Sequence, residues 1–265
     1  TELDLKNDNS SLNTTLPIFT STLNSYFASF EFTMAAAAAK PILYSYFLSS
    51  CSWRVRIALA YKGISYDYKG VDLKNNEHLS EEFLKINPCA QVPALVIDGN
   101  VLTHSTAILE YLEETVPDPP LLPKDPVQAA GVRKIVDAIA CGIQPFHNDK
   151  VLQYIGPNSA MWAKHWIQSG FESIERILRN THGKYCVGND VTFADLCLVP
   201  QVFRATIYNV NMSDFPITRA VSSNLWDLNA FREAHPFQQP DYPVYYNLLV
   251  ILIASLYSWR LLFLL

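Results

Sequence analysis

The chain has 265 residues, 49% apolar and 12% aromatic, enough to bury a core in one large or two modest domains. Its net charge is −5 and it has no run of Lys or Arg, so its charge gives no reason to expect nucleic acid as a partner. The five cysteines are odd in number, widely spaced and without a Cys-x-x-Cys pair, which argues against a disulfide framework and against a zinc or other metal site. These properties predict a globular protein of a reducing cytoplasm.

Both ends of the chain differ from its middle. Residues 1–39 are rich in Ser, Thr and Asn and lack periodicity, which predicts a disordered extension with Met34 as the more plausible start. Residues 242–265 form an apolar tail, in which the stretch from Val244 to Leu265 carries one charge, Arg260, and approaches the length that spans a bilayer. The tail has two interpretations: a membrane anchor, or translation past the true end of the coding region.

Residues 40–116 change periodicity in the order βαβαββα. The expected elements are a strand at 42–47, a helix at 50–62, a strand at 65–71, a helix at 80–86, a hairpin at 93–102 and a helix at 106–114 capped by Ser105. Gly63 stands where a left-handed C-terminal cap belongs, and Asp98-Gly99 is typical of a hairpin turn. This order predicts a thioredoxin-like domain with a right-handed first crossover.

A proline-rich linker, residues 117–125, precedes a second half, residues 126–241, in which every periodic segment is helical. The helical segments are expected at 127–142, 159–180, 192–210 and 224–234. Within the third, Thr192-Phe193-Ala194-Asp195 resembles a capping box, a structural feature. The predicted fold class is therefore α+β/α, a thioredoxin-like N-terminal domain followed by an all-α C-terminal domain.

The stretch most informative about chemistry, Ser49-Ser50-Cys51-Ser52-Trp53-Arg54, lies at the turn between the first strand and the first helix. Backbone N–H groups at a helix N-terminus stabilise an anion, and serine hydroxyls add donors. An ordinary thiol has a pKa of about 8.5, and lowering it by one or two units makes the anionic thiolate dominant at neutral pH. Because Arg54 stands where a redox protein has its second cysteine, activation of a bound thiol is favoured over disulfide exchange by the protein's own thiols.

A purely structural interpretation of these residues stays open. Serines are favoured at helix N-termini in any protein, and a lone cysteine is more often buried and inert. Three hydroxyls and a thiol within four residues nevertheless exceed what one cap needs. We therefore expect Ser49, Ser50 and Cys51 to lie at a site.

Two further segments are consistent with a bound peptide-like thiol. A cis-proline at Val92-Pro93 would leave the Val92 backbone free to pair with a ligand, although an ordinary edge strand fits the same pattern. At the start of the closing helix, His104-Ser105 could receive a carboxylate through the serine hydroxyl and main-chain N–H groups. Ser105 is also simply a good cap.

The chain resembles the zeta class of glutathione transferases, also called maleylacetoacetate isomerases, over residues 40–241. The segments that carry the resemblance are SSCSWRVRIAL, INPCAQVPAL, THSTAILEYLEE and YCVGNDVTFADLCLVPQV. It implies the glutathione transferase fold and glutathione as a coenzyme, whose thiolate adds to the cis double bond of maleylacetoacetate. Rotation in the resulting enolate and elimination then give fumarylacetoacetate, a step of tyrosine and phenylalanine catabolism. The resemblance also implies a homodimer and a transferase side activity toward α-haloacids.

The same resemblance implies roles for individual residues. Ser49, Ser50 and Cys51 would be the catalytic residues that activate and position the thiol. Val92 would pair with the cysteinyl backbone of glutathione, and Ser105 would hold its γ-glutamyl carboxylate. The full set of expected glutathione-binding residues is Ser49, Ser50, Cys51, Ser52, Trp53, Arg54, Val92, Pro93, His104, Ser105, Gln144 and Asn148.

The chain departs from the family pattern at four positions. Leu48 stands before the Ser-Ser-Cys motif where many members carry a basic residue, His104 replaces the usual glutamine, and His78 replaces a side chain that often reaches the glycyl end of glutathione. The arginine expected near Ile207 to bind a substrate carboxylate is missing, and Arg204, one helical turn away, is the candidate to replace it.

These departures leave two alternatives open. The first is a general glutathione transferase or peroxidase that acts on small electrophiles at the same site. The second is a non-catalytic, membrane-tethered scaffold of the same fold, supported only by the apolar tail. The expected partners are a small-molecule substrate and a second copy of the chain. A membrane is an expected partner only if the apolar tail belongs to the protein.

Overall fold

The computed structural model describes residues 39–243. Almost all of the predicted N-terminal extension and of the apolar tail lies outside the described residues. Between residues 39 and 243, no helix combines the length and the apolar character that a membrane crossing requires.

The first half contains a four-stranded mixed sheet flanked by helices. Its elements are β1 (Ile42–Ser45), α1 (Ser50–Tyr61), β2 (Asp67–Gly70), α2 (Glu81–Ile86), β3 (Ala94–Ile97), β4 (Asn100–Thr103) and α3 (Ser105–Thr115). The strand order is β2-β1-β3-β4, with β1 parallel to β2 and antiparallel to β3, and β3 antiparallel to β4. The predicted thioredoxin-like order βαβαββα is confirmed.

Local sequence signals account for the ends of these elements. The Ser49 hydroxyl accepts the N–H of Ser52 at 3.2 Å and begins α1, and Gly63, at φ +67°, follows its C-terminal cap. At the hairpin between β3 and β4, Asp98 and Gly99 both have positive φ, as a type I′ turn requires.

The second half is helical, as predicted. Its elements are α4 (Pro126–Ala140), α5 (Asp149–Ile155), α6 (Ser159–Thr181), α7 (Phe193–Ile207), α8 (Pro216–Leu225) and α9 (Asn229–Glu233). The capping box is present, since Asp195 Oδ2 accepts the Thr192 N–H at 2.8 Å at the start of α7. The helix expected at 224–234 was wrong: a turn at 226–228 separates α8 from α9, and Arg232 Nη1 donates to the exposed carbonyls of that turn.

The connection between the halves is held by a buried ion pair. Lys62 Nζ lies 2.8 Å from Glu113 Oε2 and also donates to the carbonyls of Val116 and Pro119. Glu113 in turn accepts the N–H of Leu121. The linker is thus fixed against α1 and α3, and the two halves share one continuous apolar core.

Arg56 on α1 also joins the two halves. Its guanidinium is fully buried and donates to the carbonyls of Tyr46 and Phe47 after β1, to Ser45 Oγ, and to the carbonyl of Ala234 after α9. These bonds are 3.0 to 3.3 Å long. Arg56 therefore fixes the chain end of the helical half against the loop that leads into the Ser-Ser-Cys motif.

Candidate active site

A cavity of about 220 Å³ opens between the two halves at the N-terminus of α1. Its walls come from α1, the loop before β3, the start of α3, and the end of α4 with the turn that follows. A larger cavity of about 350 Å³ lies beside Arg56, but that guanidinium is already fully engaged with protein acceptors. The smaller cavity is therefore the better candidate site, because it is lined by the motif residues Cys51 and Arg54 and by Ser105.

The first turn of α1 brings Cys51 and Arg54 of the motif into the cavity wall, whereas Ser49, Ser50 and Ser52 do not line it. Cys51 lies in the cavity wall with its side chain partly exposed, and Ser50 lies beside it at the helix N-terminus. Ser49 Oγ already serves as the cap, while Ser52 is fully buried. The open N–H groups of this turn and the positive end of the helix dipole favour an anion here.

Arg54 brings a positive charge to the cavity without a carboxylate to balance it. The side chain is 1% exposed, and its Nη1 contacts Ser105 Oγ at 3.2 Å and Cys51 Sγ at 3.9 Å. Among the described residues, its Nε and Nη2 have no hydrogen-bond partner. Burial by itself lowers the pKa of Arg54, but the neighbouring Cys197, Cys51 and Cys141 thiols outweigh it and the pKa is raised. A buried cation with two unused donors in a cavity wall is suited to an anionic ligand.

The loop before β3 presents unpaired backbone to the cavity. The Val92–Pro93 bond is cis, and within residues 39–243 the N–H and C=O of Val92 form no backbone–backbone hydrogen bond. The buried Asn87 holds the loop, since its Nδ2 donates to the Gln91 carbonyl at 2.7 Å and its Oδ1 accepts the Cys89 N–H at 3.0 Å. An extended peptide could therefore add to this segment through main-chain hydrogen bonds.

At the start of α3, the N-cap position belongs to His104 and not to Ser105, contrary to the sequence prediction. His104 has φ +64° and ψ 120°, a strained conformation for a residue with a Cβ, and its side chain makes no capping bond. Ser105 becomes the first helical residue, and its hydroxyl accepts from Arg54. The free N–H groups of this turn lie in the cavity wall beside that hydroxyl.

The helical half contributes Gln144, which lines the cavity from a 3₁₀ turn after α4. Asn148 does not line it, because its Oδ1 caps α5 by accepting the Lys150 N–H at 3.1 Å. His78 approaches the same helix start, and burial followed by the charge of Lys150 lowers the pKa of His78.

A second cluster of polar side chains lies around His147 in the helical half. Its Nε2 lies 3.2 Å from Oε1 of the buried Gln201. Arg204 stacks on the Tyr208 ring, 5.4 Å from guanidinium carbon to ring centroid, and donates to its hydroxyl at 3.3 Å. Burial, with the charge of Arg204 next, lowers the pKa of His147 to about 4. Arg204 is thus close to His147, whereas Ile207 is 45% exposed.

The structure brings together most but not all of the predicted site residues. Trp53 lies in the core, with its ring 5.4 Å from that of Phe203. The residues that line the cavity as predicted are Cys51, Arg54, Val92, Pro93, His104, Ser105 and Gln144. The sequence analysis missed five lining residues: Asn87, Gln91, Thr106, Ala140 and Cys141. For Asn87 and Cys141 the available signals were an Asn-Pro pair and a cysteine directly before the Gly142-Ile143-Gln144 run. In the part of the chain that the structure describes, no cluster of His, Cys, Asp or Glu is placed to bind a metal ion.

Comparisons with known proteins identify the family of the chain. Residues 39–114 match the family model "Glutathione S-transferase, N-terminal domain". The maleylacetoacetate isomerase of Rattus norvegicus is 53% identical over 209 residues, covering 78% of this chain and 97% of the rat protein.

Solved structures agree as well. A maleyl pyruvate isomerase, described as a bacterial glutathione S-transferase of the zeta class, matches with a TM-score of 0.74 and 38% identity, covering 76% of this chain and all of that one. The maleylacetoacetate isomerase of Anaeromyxobacter dehalogenans with bound glutathione matches with a TM-score of 0.71 and 38% identity, over 77% of this chain and 98% of the other. The chain therefore belongs to the zeta-class, maleylacetoacetate isomerase group of the glutathione transferase family.

Proposed function

We propose that the protein is a glutathione-dependent isomerase that converts maleylacetoacetate to fumarylacetoacetate. The observation that carries the proposal is Arg54, a buried cation with two unused donors in a cavity that also presents a free Val92 backbone and the first turns of two helices. The choice of reaction is supported by the 53% sequence identity to the maleylacetoacetate isomerase of Rattus norvegicus.

The donor set of the cavity fits glutathione. The Val92 backbone can pair with the cysteinyl residue of the tripeptide, as an added strand pairs with a sheet edge. Ser105 and the N–H groups at the start of α3 can hold the γ-glutamyl carboxylate, and the guanidinium of Arg54, whose Nη1 donates to the Ser105 hydroxyl, adds positive charge beside that anion. The N-terminus of α1 then lies beneath the thiol.

When bound, glutathione supplies a thiol nucleophile whose reversible addition to the cis double bond allows rotation to the trans form. The protein's part is to hold that sulfur as an anion and to exclude other reactions. Ser50 at the helix N-terminus, the Ser49 and Cys51 side chains on either side of it, and the guanidinium 3.9 Å from Cys51 Sγ all favour negative charge at that point.

The substrate is a dicarboxylate, and Arg204 is the proposed anchor for one of its carboxylates. Its guanidinium is held in a defined position by Tyr208, so binding requires little further ordering of the side chain. The position where the family arginine is expected is occupied by the uncharged, exposed Ile207. This difference favours a second candidate function, transfer of glutathione to small electrophiles such as α-haloacids at the same cavity.

The test is the rate of maleylacetoacetate isomerisation with and without glutathione, beside haloacid turnover measured on the same preparation. Strict dependence on glutathione, and a large loss in Ser50→Ala with glutathione binding retained, is the expected result. Binding of glutathione with haloacid turnover but no isomerisation would select the transferase. Absence of glutathione binding would rule out both.

We further propose that the protein acts in the cytoplasm as a homodimer. The chemistry of a free thiol coenzyme requires a reducing compartment, and the five cysteines within residues 39–243 are all free. Sedimentation equilibrium at several protein concentrations tests the dimer, and a mass of one chain at all of them would contradict it.

A further inference from the structure

A second thiol, that of Cys141, lies in the wall of the active-site cavity that Cys51 also lines. Cys141 is the C-terminal cap residue of α4, its side chain is exposed, and it lines the cavity together with Gln144. The cavity thus has one thiol from each half of the protein. Neither is used in a disulfide.

The backbone around Cys141 is closely packed, so the main chain that carries its thiol has a defined position. Its N–H donates to the Asp137 carbonyl at 2.8 Å. A Cβ added at Gly142 would come within 2.6 Å of the Ala138 carbonyl oxygen, and the next residue, Ile143, is fully buried. The thiol therefore starts from a fixed point in the cavity wall while its side chain is exposed.

Arg54 is an independent sign that the cavity lined by both thiols is suited to an anionic ligand. It is almost completely buried, its Nε and Nη2 have no partner among the described residues, and it lies in the same wall as Cys51. Glutathione disulfide is an anion that carries an electrophilic sulfur pair, so the ligand that satisfies Arg54 can also react with a thiol.

We propose that Cys141 is a site of reversible glutathione attachment, which rests on the proposed binding of glutathione in this cavity. After losing its proton to solvent, the Cys141 sulfur attacks one sulfur of a bound glutathione disulfide. The bond between the two glutathione sulfurs breaks, a new bond joins that sulfur to Cys141, and the second glutathione leaves as thiolate. Cys141 is oxidised and one glutathione is reduced, so no other oxidant is needed.

Attachment at Cys141 fills the cavity and stops the glutathione-dependent reaction. Attack of reduced glutathione on the mixed disulfide reverses the step, so activity follows the ratio of reduced to oxidised glutathione. Cys51 is the less accessible of the two thiols, because its side chain is only partly exposed whereas that of Cys141 is exposed.

The experiment treats the full chain with glutathione disulfide and follows modification of each cysteine by peptide mass spectrometry. Cys89 is the matched internal control, since it is also exposed but does not line the cavity. Binding before reaction should make Cys141 react about tenfold faster than Cys89, or more. S-methylglutathione, which cannot form a disulfide, should protect Cys141 and leave Cys89 unprotected.

Activity provides the second readout, with each variant compared to its own rate before treatment. Glutathione disulfide should inhibit the parent protein and Cys89→Ser but not Cys141→Ser, and reduced glutathione should restore the parent. Equal reaction of Cys141 and Cys89, attachment at Cys51 instead, or inhibition that persists in Cys141→Ser would overturn the inference. Calorimetry with S-methylglutathione separates these results from failure of the proposed function, in which that ligand would not bind at all.

Discussion

Arg54 and Arg56 lie two residues apart on α1 and are both fully buried, yet replacing each by methionine should have opposite effects. Methionine keeps a long side chain and removes the charge. Arg56 donates four hydrogen bonds, three of them to main-chain carbonyls. Each buried acceptor left without a donor costs about 1–3 kcal/mol, so the three carbonyls alone should cost Arg56→Met about 3–9 kcal/mol, a large share of the 5–15 kcal/mol typical of a domain.

Among the described residues, Arg54 makes only two hydrogen bonds, to Ser105 Oγ at 3.2 Å and to Cys51 Sγ at 3.9 Å, and it forms no ion pair with a carboxylate. Replacing a buried ion that lacks a counterion by an apolar side chain is neutral or stabilising, so Arg54→Met should unfold at the same urea concentration as the parent or a higher one. Arg54→Met should instead bind glutathione more weakly than the parent protein. Removing a charge-assisted bond to glutathione is worth about 1.5–3 kcal/mol, which weakens binding by about 10- to 150-fold.

Urea unfolding and calorimetric titration with glutathione measure the two effects on the same samples. An unchanged slope of the unfolding free energy with urea ensures that the comparison is between similar folded states. If Arg54→Met loses as much stability as Arg56→Met, the guanidinium of Arg54 is compensated within the protein and the argument for an anionic ligand fails. Unchanged glutathione affinity in Arg54→Met would refute its role in binding.

Three further predictions follow from single side chains. Stability should fall as the pH drops from about 6.5 to 4, because burial lowers the pKa of both His147 and His235 to about 4 in the folded protein and the unfolded chain takes up these protons first. Each histidine contributes about 3 kcal/mol, so urea unfolding of His147→Gln should lack one such contribution and keep that of His235. Ser49→Ala and Ser80→Ala should each lower the free energy of unfolding by about 1 kcal/mol, since both hydroxyls cap a helix through a 3.2 Å bond. Only Ser49→Ala should also lower isomerase activity, by about tenfold or more. Equal isomerase activities of the two variants would mean that Ser49 is a helix cap and nothing else. Ile207 is exposed, and Ile207→Arg should raise kcat/KM for maleylacetoacetate about tenfold, whereas Ile207→Gln should not. If steady-state assays show no gain for Ile207→Arg, position 207 is out of reach of the substrate.

The order of elements in the first half could be predicted from the sequence because its boundaries are set by local chemistry. A serine cap, a glycine after α1 and an Asp-Gly turn each act on the residues next to them. The division between α8 and α9 could not be predicted in this way. The helical spacing at 224–234 continues through the turn, and the bonds that end the helix come from Arg232, whose partners only the folded structure reveals.

The site was predictable where a residue's role depends on its own position along the chain, and not where it depends on its neighbours in space. Cys51 and Val92 were expected from motif and turn patterns and both line the cavity. Asn148 was expected there as well, but it caps α5 instead, and an Asn side chain in a sequence does not show which of the two it does. Asn87 braces the Val92 loop through side-chain bonds that no spacing rule contains.

The geometry of one helix explains how the Ser-Ser-Cys-x-x-Arg-Val-Arg pattern can contribute both to the proposed site and to folding. Cys51 and Arg54 are three residues apart and therefore share a face of α1, the one that lines the cavity. Arg56 is rotated by about 200° from Arg54 around the helix axis, which turns its guanidinium toward the carbonyls after β1 and α9. A lysine at position 54 could keep the charge but not the fork of donors, and at position 56 it could not reach four acceptors at once. Both positions therefore favour arginine. At position 56 the protein itself supplies the hydrogen-bond acceptors, and at position 54 we propose that a bound ligand supplies them.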